Sequence, residues 1–127
     1  MAYSATVSRE SSLDGVIEIT VLETEAGTAT ESDAIAVPER FRLLSIRCDK
    51  ISGSGATFAP ALYDVPGSGA AAREVYDVGT AGANINTTYG KGLQIKAYAG
   101  VVYHRAVAAS GSDNTVVTSY RILPGWQ

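Results

Sequence analysis

Punctuation is the feature that most constrains this chain. Short runs in which apolar and polar residues alternate are broken about every ten residues by clusters of Gly, Pro, Asn and Asp, and apolar residues at helical spacing are scarce. That rhythm predicts an all-β fold, a single-domain antiparallel β-sandwich. In GVIEITVL, residues Ile17, Ile19 and Val21 share one face and Glu18 and Thr20 the other. In RFRLLSIRC, strict alternation sets Leu44, Ile46 and Cys48 against Ser45 and Arg47, with Phe41 and Leu43 on the latter side. Further strands are predicted at Thr57–Tyr63, Arg73–Val78, Leu93–Tyr98, Val101–Val107 and Thr115–Leu123. The last carries Val116, Thr118, Tyr120 and Ile122 on one face and Val117 and Leu123 on the other. Strands that are apolar on both sides must be covered on both, by more of the same chain or by another subunit.

The 127 residues suit one domain, which at this length buries roughly two thirds of the unfolded chain's surface. With 46% hydrophobic and 18% charged residues, the composition lies far from that of disordered chains. The net charge of −3 is too small to imply a nucleic acid or an anionic membrane as partner. Its distribution is uneven: eight acids and no base lie between Glu10 and Glu39, and then Arg40, Arg42, Arg47 and Lys50 follow closely. This reads as an acidic edge beside a basic strand, or as opposite patches that meet between copies of the chain. No apolar run approaches the ~20 residues of a membrane-spanning helix. The start, MAYSATVSRE, has neither the basic nor the apolar region of a secretory signal, so synthesis and residence in a reducing cytoplasm are expected.

Residues 1–12 admit two readings. Asp14-Gly15 is the preferred dipeptide of a two-residue hairpin, and such a turn would set Ser8 and Glu10 opposite Val21 and Ile19, so that the faces disagree. Either a bulge restores the phase, or residues 1–12 leave residues 13–127 as an extended arm. The stretch AGTATESDAIA that follows is expected to be a loop or a weak edge strand.

Candidates for chemistry are few. The tetrad GSGA occurs at Gly53–Ala56 and at Gly67–Ala70, but a phosphate loop needs a following helix, and Pro60 opposes one after the first copy. Both tetrads are read as turns. His104 is the single histidine and alternates with Val102 against Tyr103 and Arg105, as an ordinary strand residue would. Cys48 is the single cysteine, which rules out an intrachain disulfide and a cysteine-based zinc site and suits a small core residue. A Cys48–His104 nucleophilic pair stays open, though no activating turn or helix end adjoins Cys48. Asp64, Asp77 and Asp113 sit at strand ends or turns, and SGSDN lacks the spaced ligands of a calcium loop. No cofactor, no metal and no enzymatic activity are expected. The tyrosines are scattered, which favours core and interface use over a sugar platform, and Trp126 is a candidate anchor onto a neighbour.

From Arg40 to Leu123 the chain resembles small β-rich virion proteins of tailed bacteriophages: RFRLLSIRC, a Gly/Ala/Ser loop, then ALYDVPGSGAAAREVYDV and KGLQIKAYAG. The resemblance implies a jelly-roll-like sandwich that decorates or cements the capsid exterior as a homotrimer, with the major capsid protein as partner and the virion surface as its location. The adhesive contacts are then expected from Tyr3 and Val7 in the arm or from the acidic loop Glu23–Asp33. Phe41, Leu43, Tyr120 and Ile122 on the two-faced strands, and Trp126, are the expected subunit contacts. The competing reading is a carbohydrate-binding or host-adhesion module of a phage fibre or tail, with a glycan bound on exposed Tyr and Trp.

Overall fold

The computed structural model describes residues 4–26, 33–54, 57–63, 74–77, 82, 84–97, 100–108 and 114–125. These form nine strands and no α-helix: β1 (Ser4–Ser11), β2 (Ile17–Ala26), β3 (Asp33–Ala36), β4 (Arg40–Ser52), β5 (Phe58–Tyr63), β6 (Glu74–Asp77), β7 (Asn84–Lys96), β8 (Val101–Ala108) and β9 (Asn114–Pro124). They make two antiparallel sheets, ordered β1-β2-β9-β4-β7 and β3-β8-β5-β6, packed as a sandwich. The pairing is nested. β2 lies on β9, β3 on β8, β4 on β7 and β5 on β6, so that each strand meets its mirror position about the β5–β6 connection. The inner faces supply Ile19, Phe41, Ile46 and Ile122 from one sheet and Ile35, Leu62 and Val102 from the other, all buried. A second cluster of Cys48, Phe58, Ile85 and Val116 continues the core.

Ser4–Ser11, within the expected arm, form a strand paired with β2. Ser12 N donates to the carbonyl of Val16 at 2.9 Å and Gly15 N to that of Ser12 at 3.1 Å, and Gly15 has a φ of +87°. The turn therefore has three residues, Leu13-Asp14-Gly15, with glycine in the left-handed region, instead of the two that Asp14-Gly15 alone suggests. One added residue reverses the facing of the whole incoming strand. Val7 consequently lies opposite Val21 and Arg9 opposite Ile19, and the Arg9 guanidinium on that side donates to the Ala36 carbonyl. Asp14 stabilises the turn by accepting from Ser12 Oγ and from Val16 N, and these bonds, the hydroxyl first, hold its carboxyl below the usual range.

A second irregularity changes the reading of β4. Against both neighbours its register steps from Leu43 to Ser45 and leaves Leu44 unpaired, a β-bulge. Over the same interval β7 advances from Leu93 back to Thr88, taking up the slack around Gly92. The bulge puts Phe41 and Leu43 on the same face as Ile46 and Cys48, and all four are buried. Gly92 is required there: its φ is +84°, and a side chain would come within 2.9 Å of Arg42 Cβ. Tyr120 and Ile122 lie on the inner face of β9, as alternation predicts, and they too are buried. Phe41, Leu43, Tyr120 and Ile122 are thus enclosed by their own chain and present no side chain to a subunit or capsid.

The first GSGA tetrad follows β4, with Gly53 at a φ of +117°, and leads into strand β5 with no helix behind it. The second tetrad lies outside the described residues. The stretch expected to be a loop or weak edge strand contains β3, and β7 begins at Asn84, well before the predicted Leu93, within NINTTYGKG.

Two outcomes test this arrangement. Phe41→Ala should cost about 3–5 kcal/mol in urea unfolding, by the same amount at every protein concentration; a loss that shrinks on dilution would put Phe41 in a contact between chains after all. Gly92→Ala should cost about 1–3 kcal/mol, from strain at positive φ and the clash with Arg42.

Candidate functional site

Alternation along β8 sends Val102 and His104 inward and leaves Tyr103 half-buried. On β2 the inward series Ile19, Val21 continues to Glu23, which places a carboxylate at a core position only 3% exposed. On β9 the inward series includes Asn114, Thr118 and Tyr120. These strands meet at the only histidine of the chain. His104, with no exposed surface, lies with Nε2 2.6 Å from Glu23 Oε1 and Nδ1 2.5 Å from the Tyr120 hydroxyl. The Tyr120 and His104 rings are edge-on, at 75° with centroids 5.5 Å apart.

Proton positions follow from satisfiability. Burial first, and then the nearby Cys48 and Glu23, hold the Tyr120 phenol well above its ordinary pKa, so it keeps its proton. That proton needs an acceptor, and Nδ1 is at hydrogen-bond distance. We therefore assign the phenol as donor to Nδ1 and the imidazole proton to Nε2, where it is donated to the Glu23 carboxylate. The result is a carboxylate–imidazole–hydroxyl chain, the order of groups used in nucleophilic catalysis. Catalysis also requires a reacting group within hydrogen-bond reach of substrate. Glu23, His104 and Tyr120 are at most 3% exposed, so the chain runs between the sheets and joins β2 and β9 to β8. It is a fastener.

Cys48 lies nearby in the same interior. The Thr118 hydroxyl donates to its sulfur at 3.4 Å, and burial pushes the thiol up to about 11, so it is protonated and inert at neutral pH. The nucleophilic pairing of Cys48 with His104 does not form, because both imidazole nitrogens are engaged by Glu23 and Tyr120. Among the described residues no group of three or more His, Cys, Asp or Glu is placed to hold a metal ion.

The outer face of the five-stranded sheet is mostly polar, with the exposed Leu22 beside the half-buried Val117 as its apolar spot. Cross-strand rows run Ser8, Thr20, Ser119, Arg47, Asn86 and Glu10, Glu18, Arg121, Ser45, Thr88. Arg47 is paired with Asp49 at 2.9 Å. Three surface depressions lie on this side of the sheet, one of about 300 Å³ between Glu18, Ser45, Arg47, Asn86, Thr88, Ser119 and Arg121. None of the three is lined by an aromatic ring. The acids Glu10 and Glu18 thus flank Arg121 and Arg47 on one surface, matching an acidic edge beside a basic strand.

Of the residues singled out from sequence, Val7 is exposed at 38% on β1, and Tyr3, Asp64, Asp113 and Trp126 lie outside the described residues. Glu23 was missed as a core residue because the strand is predicted to end at Leu22, with Glu23 opening an acidic loop. The continued alternation Ile19, Val21, Glu23 was the signal. No family model, no curated protein and no solved structure matches the chain.

Two measurements check the interior. Tyr120→Phe keeps the ring but leaves Nδ1 without a donor, and should cost about 1–3 kcal/mol; an unchanged urea midpoint would show that the bond contributes nothing. Cys48 titrates at about 11 when folded against an ordinary value of 9.0, so the unfolded chain releases its proton first. Stability should therefore be full below pH 9 and fall as pH rises towards 11, with the Tyr120 phenol acting in the same direction at slightly higher pH. Cys48→Ala should flatten the fall; an identical slope in wild type and variant would remove Cys48 as its cause.

Proposed function

We propose that this protein is a non-enzymatic structural protein of a tailed-phage virion, attached to the capsid exterior as an oligomer that contacts the major capsid protein. We read the nested strand pairing as a jelly roll, with β1 added at one edge. The observation that carries the proposal is the division of polar side chains between inside and outside. The histidine that could run chemistry is spent inside, holding the two sheets together, whereas the outer face of the five-stranded sheet offers Ser, Thr, Asn, Arg and Glu side chains. Polar surfaces of this kind suit docking onto a shell that has already formed, because they stay soluble until the partner is met. The resemblance of residues 40–123 to phage virion proteins supplies the class of partner. The enclosed apolar residues Phe41, Leu43, Tyr120 and Ile122 are spent in the core, and in this reading the polar face supplies the adhesive contact.

The test is pelleting of the purified full chain with empty heads of its phage. Wild type should pellet with heads, and Arg47→Glu combined with Arg121→Glu should weaken binding at least tenfold with an unchanged melting temperature. Wild-type protein that stays in the supernatant at every concentration would refute the proposal, and glycan-array binding by that same protein would favour the host-adhesion reading.

A further inference from the structure

The sandwich has four lateral edges, and among the described residues three are blunted. β3 and β6 are four residues long, too short to template a partner strand, and the Arg9 guanidinium donates to the Ala36 carbonyl on β3. β7 is broken by its bulge and carries Lys91, Lys96, Gly90 and Gly92. β1 carries two charges, Arg9 and Glu10, at its turn end but is neither short nor broken. It is eight residues long, unbroken in register, free of Pro and Gly, and uncharged from Ser4 to Ser8. Seven of its eight residues are exposed, and Val7 is 38% exposed although Val21 beside it is fully buried.

The turn geometry shows which backbone groups of β1 are free. Both the N–H and the carbonyl of Ser12 bond across the turn, so they point towards β2. In an antiparallel pair this orientation alternates, which directs the backbone groups of Glu10, Ser8, Thr6 and Ser4 to β2 and those of Arg9, Val7 and Ala5 to the open edge. A strand docking on that edge must therefore meet Ala5, Val7 and Arg9 with its own outward-pointing residues.

We propose that this edge pairs with the same edge of a second copy, antiparallel about a two-fold axis at Val7, to give one continuous ten-stranded sheet. In that register Val7 faces Val7 of the second copy and Ala5 faces its Arg9, so each facing pair exchanges both backbone hydrogen bonds. Glu10 faces Ser4 of the second copy, so no like charges are opposed. The half-exposed Val7 side chains cover one another on the axis. A shift of one residue sets outward-pointing groups against inward-pointing ones and fails, and a shift of two separates the valines and puts Arg9 against Val7. The pairing is closed and stops at two copies. A threefold ring would instead need β1 to meet one of the three blunted edges. A single strand pair buries little area, so the dimer is concentration-dependent. This inference stands on the β1 edge alone and does not depend on the virion role.

The test is sedimentation of the full chain over a range of concentrations, with melting temperatures measured alongside. Wild type should pass from monomer to dimer and no further. Val7→Pro removes an N–H that is not used within the chain, so it should raise the dimer dissociation constant at least tenfold and leave the melting temperature unchanged. Val7→Lys keeps every backbone bond but opposes two positive charges on the axis, and should do the same. Thr6→Pro removes a bond to β2 and should lower the melting temperature. Wild type that is monomeric throughout, or that forms trimers, overturns the proposal, as does a dimer unaffected by Val7→Lys.

Discussion

Everything in this sandwich depends on keeping two sheets in one alignment, and the hydrogen-bonded chain from Glu23 through His104 to Tyr120 is the buried directional contact between them. Apolar packing favours contact between sheets but is non-directional, and neighbouring alignments of two Ile- and Val-rich faces differ little in buried area. A buried carboxylate and imidazole have no such tolerance. In a low-dielectric interior an unmet partner costs several kcal/mol, so the alignments in which Glu23 or His104 goes unpaired are heavily disfavoured. The polar cluster thereby adds a penalty against alignments that apolar packing alone does not penalise.

The same constraint explains why the bulge at Leu44 and the three-residue turn at Leu13-Asp14-Gly15 matter. Each inserts one residue, and one residue reverses the facing of the strand on one side of it. Without the turn residue, β1 would direct Ser8 and Glu10 inward beside Val21 and Ile19. Without the bulge, Phe41 and Leu43 would lie on the solvent face while Ile46 and Cys48 stayed inside. What looks in one dimension like a surplus of apolar residues, more than one small fold could hide, is one core face whose phase has been shifted midway. No subunit is needed to cover it.

The legible parts were those in which alternation runs without interruption. The inner face of β9 could be read residue by residue, and so could the inward side of β8 with Val102 and His104. Polar stretches were harder: Asn84 to Gly92 carries two Asn and two Gly, poor strand formers on their own, and becomes part of β7 because β4 offers it a long partner. Glu23 illustrates the limit for the interior site. Its charge argued for solvent, and the hydrogen bond from His104 across the sandwich helps make a core position tolerable for it.

The spacing of turn residues and the period-two pattern were enough to determine an all-β chain with most of its strands in place, because both are local properties of a few neighbouring residues. Which strands pair, where a bulge reverses a face, and which carboxylate meets the histidine are set by contacts between residues as far apart in the chain as Glu23 and His104. Such contacts leave no local trace, since each partner taken alone looks like an ordinary polar residue. Only the folded arrangement brings them within 3 Å and makes the burial of either one favourable.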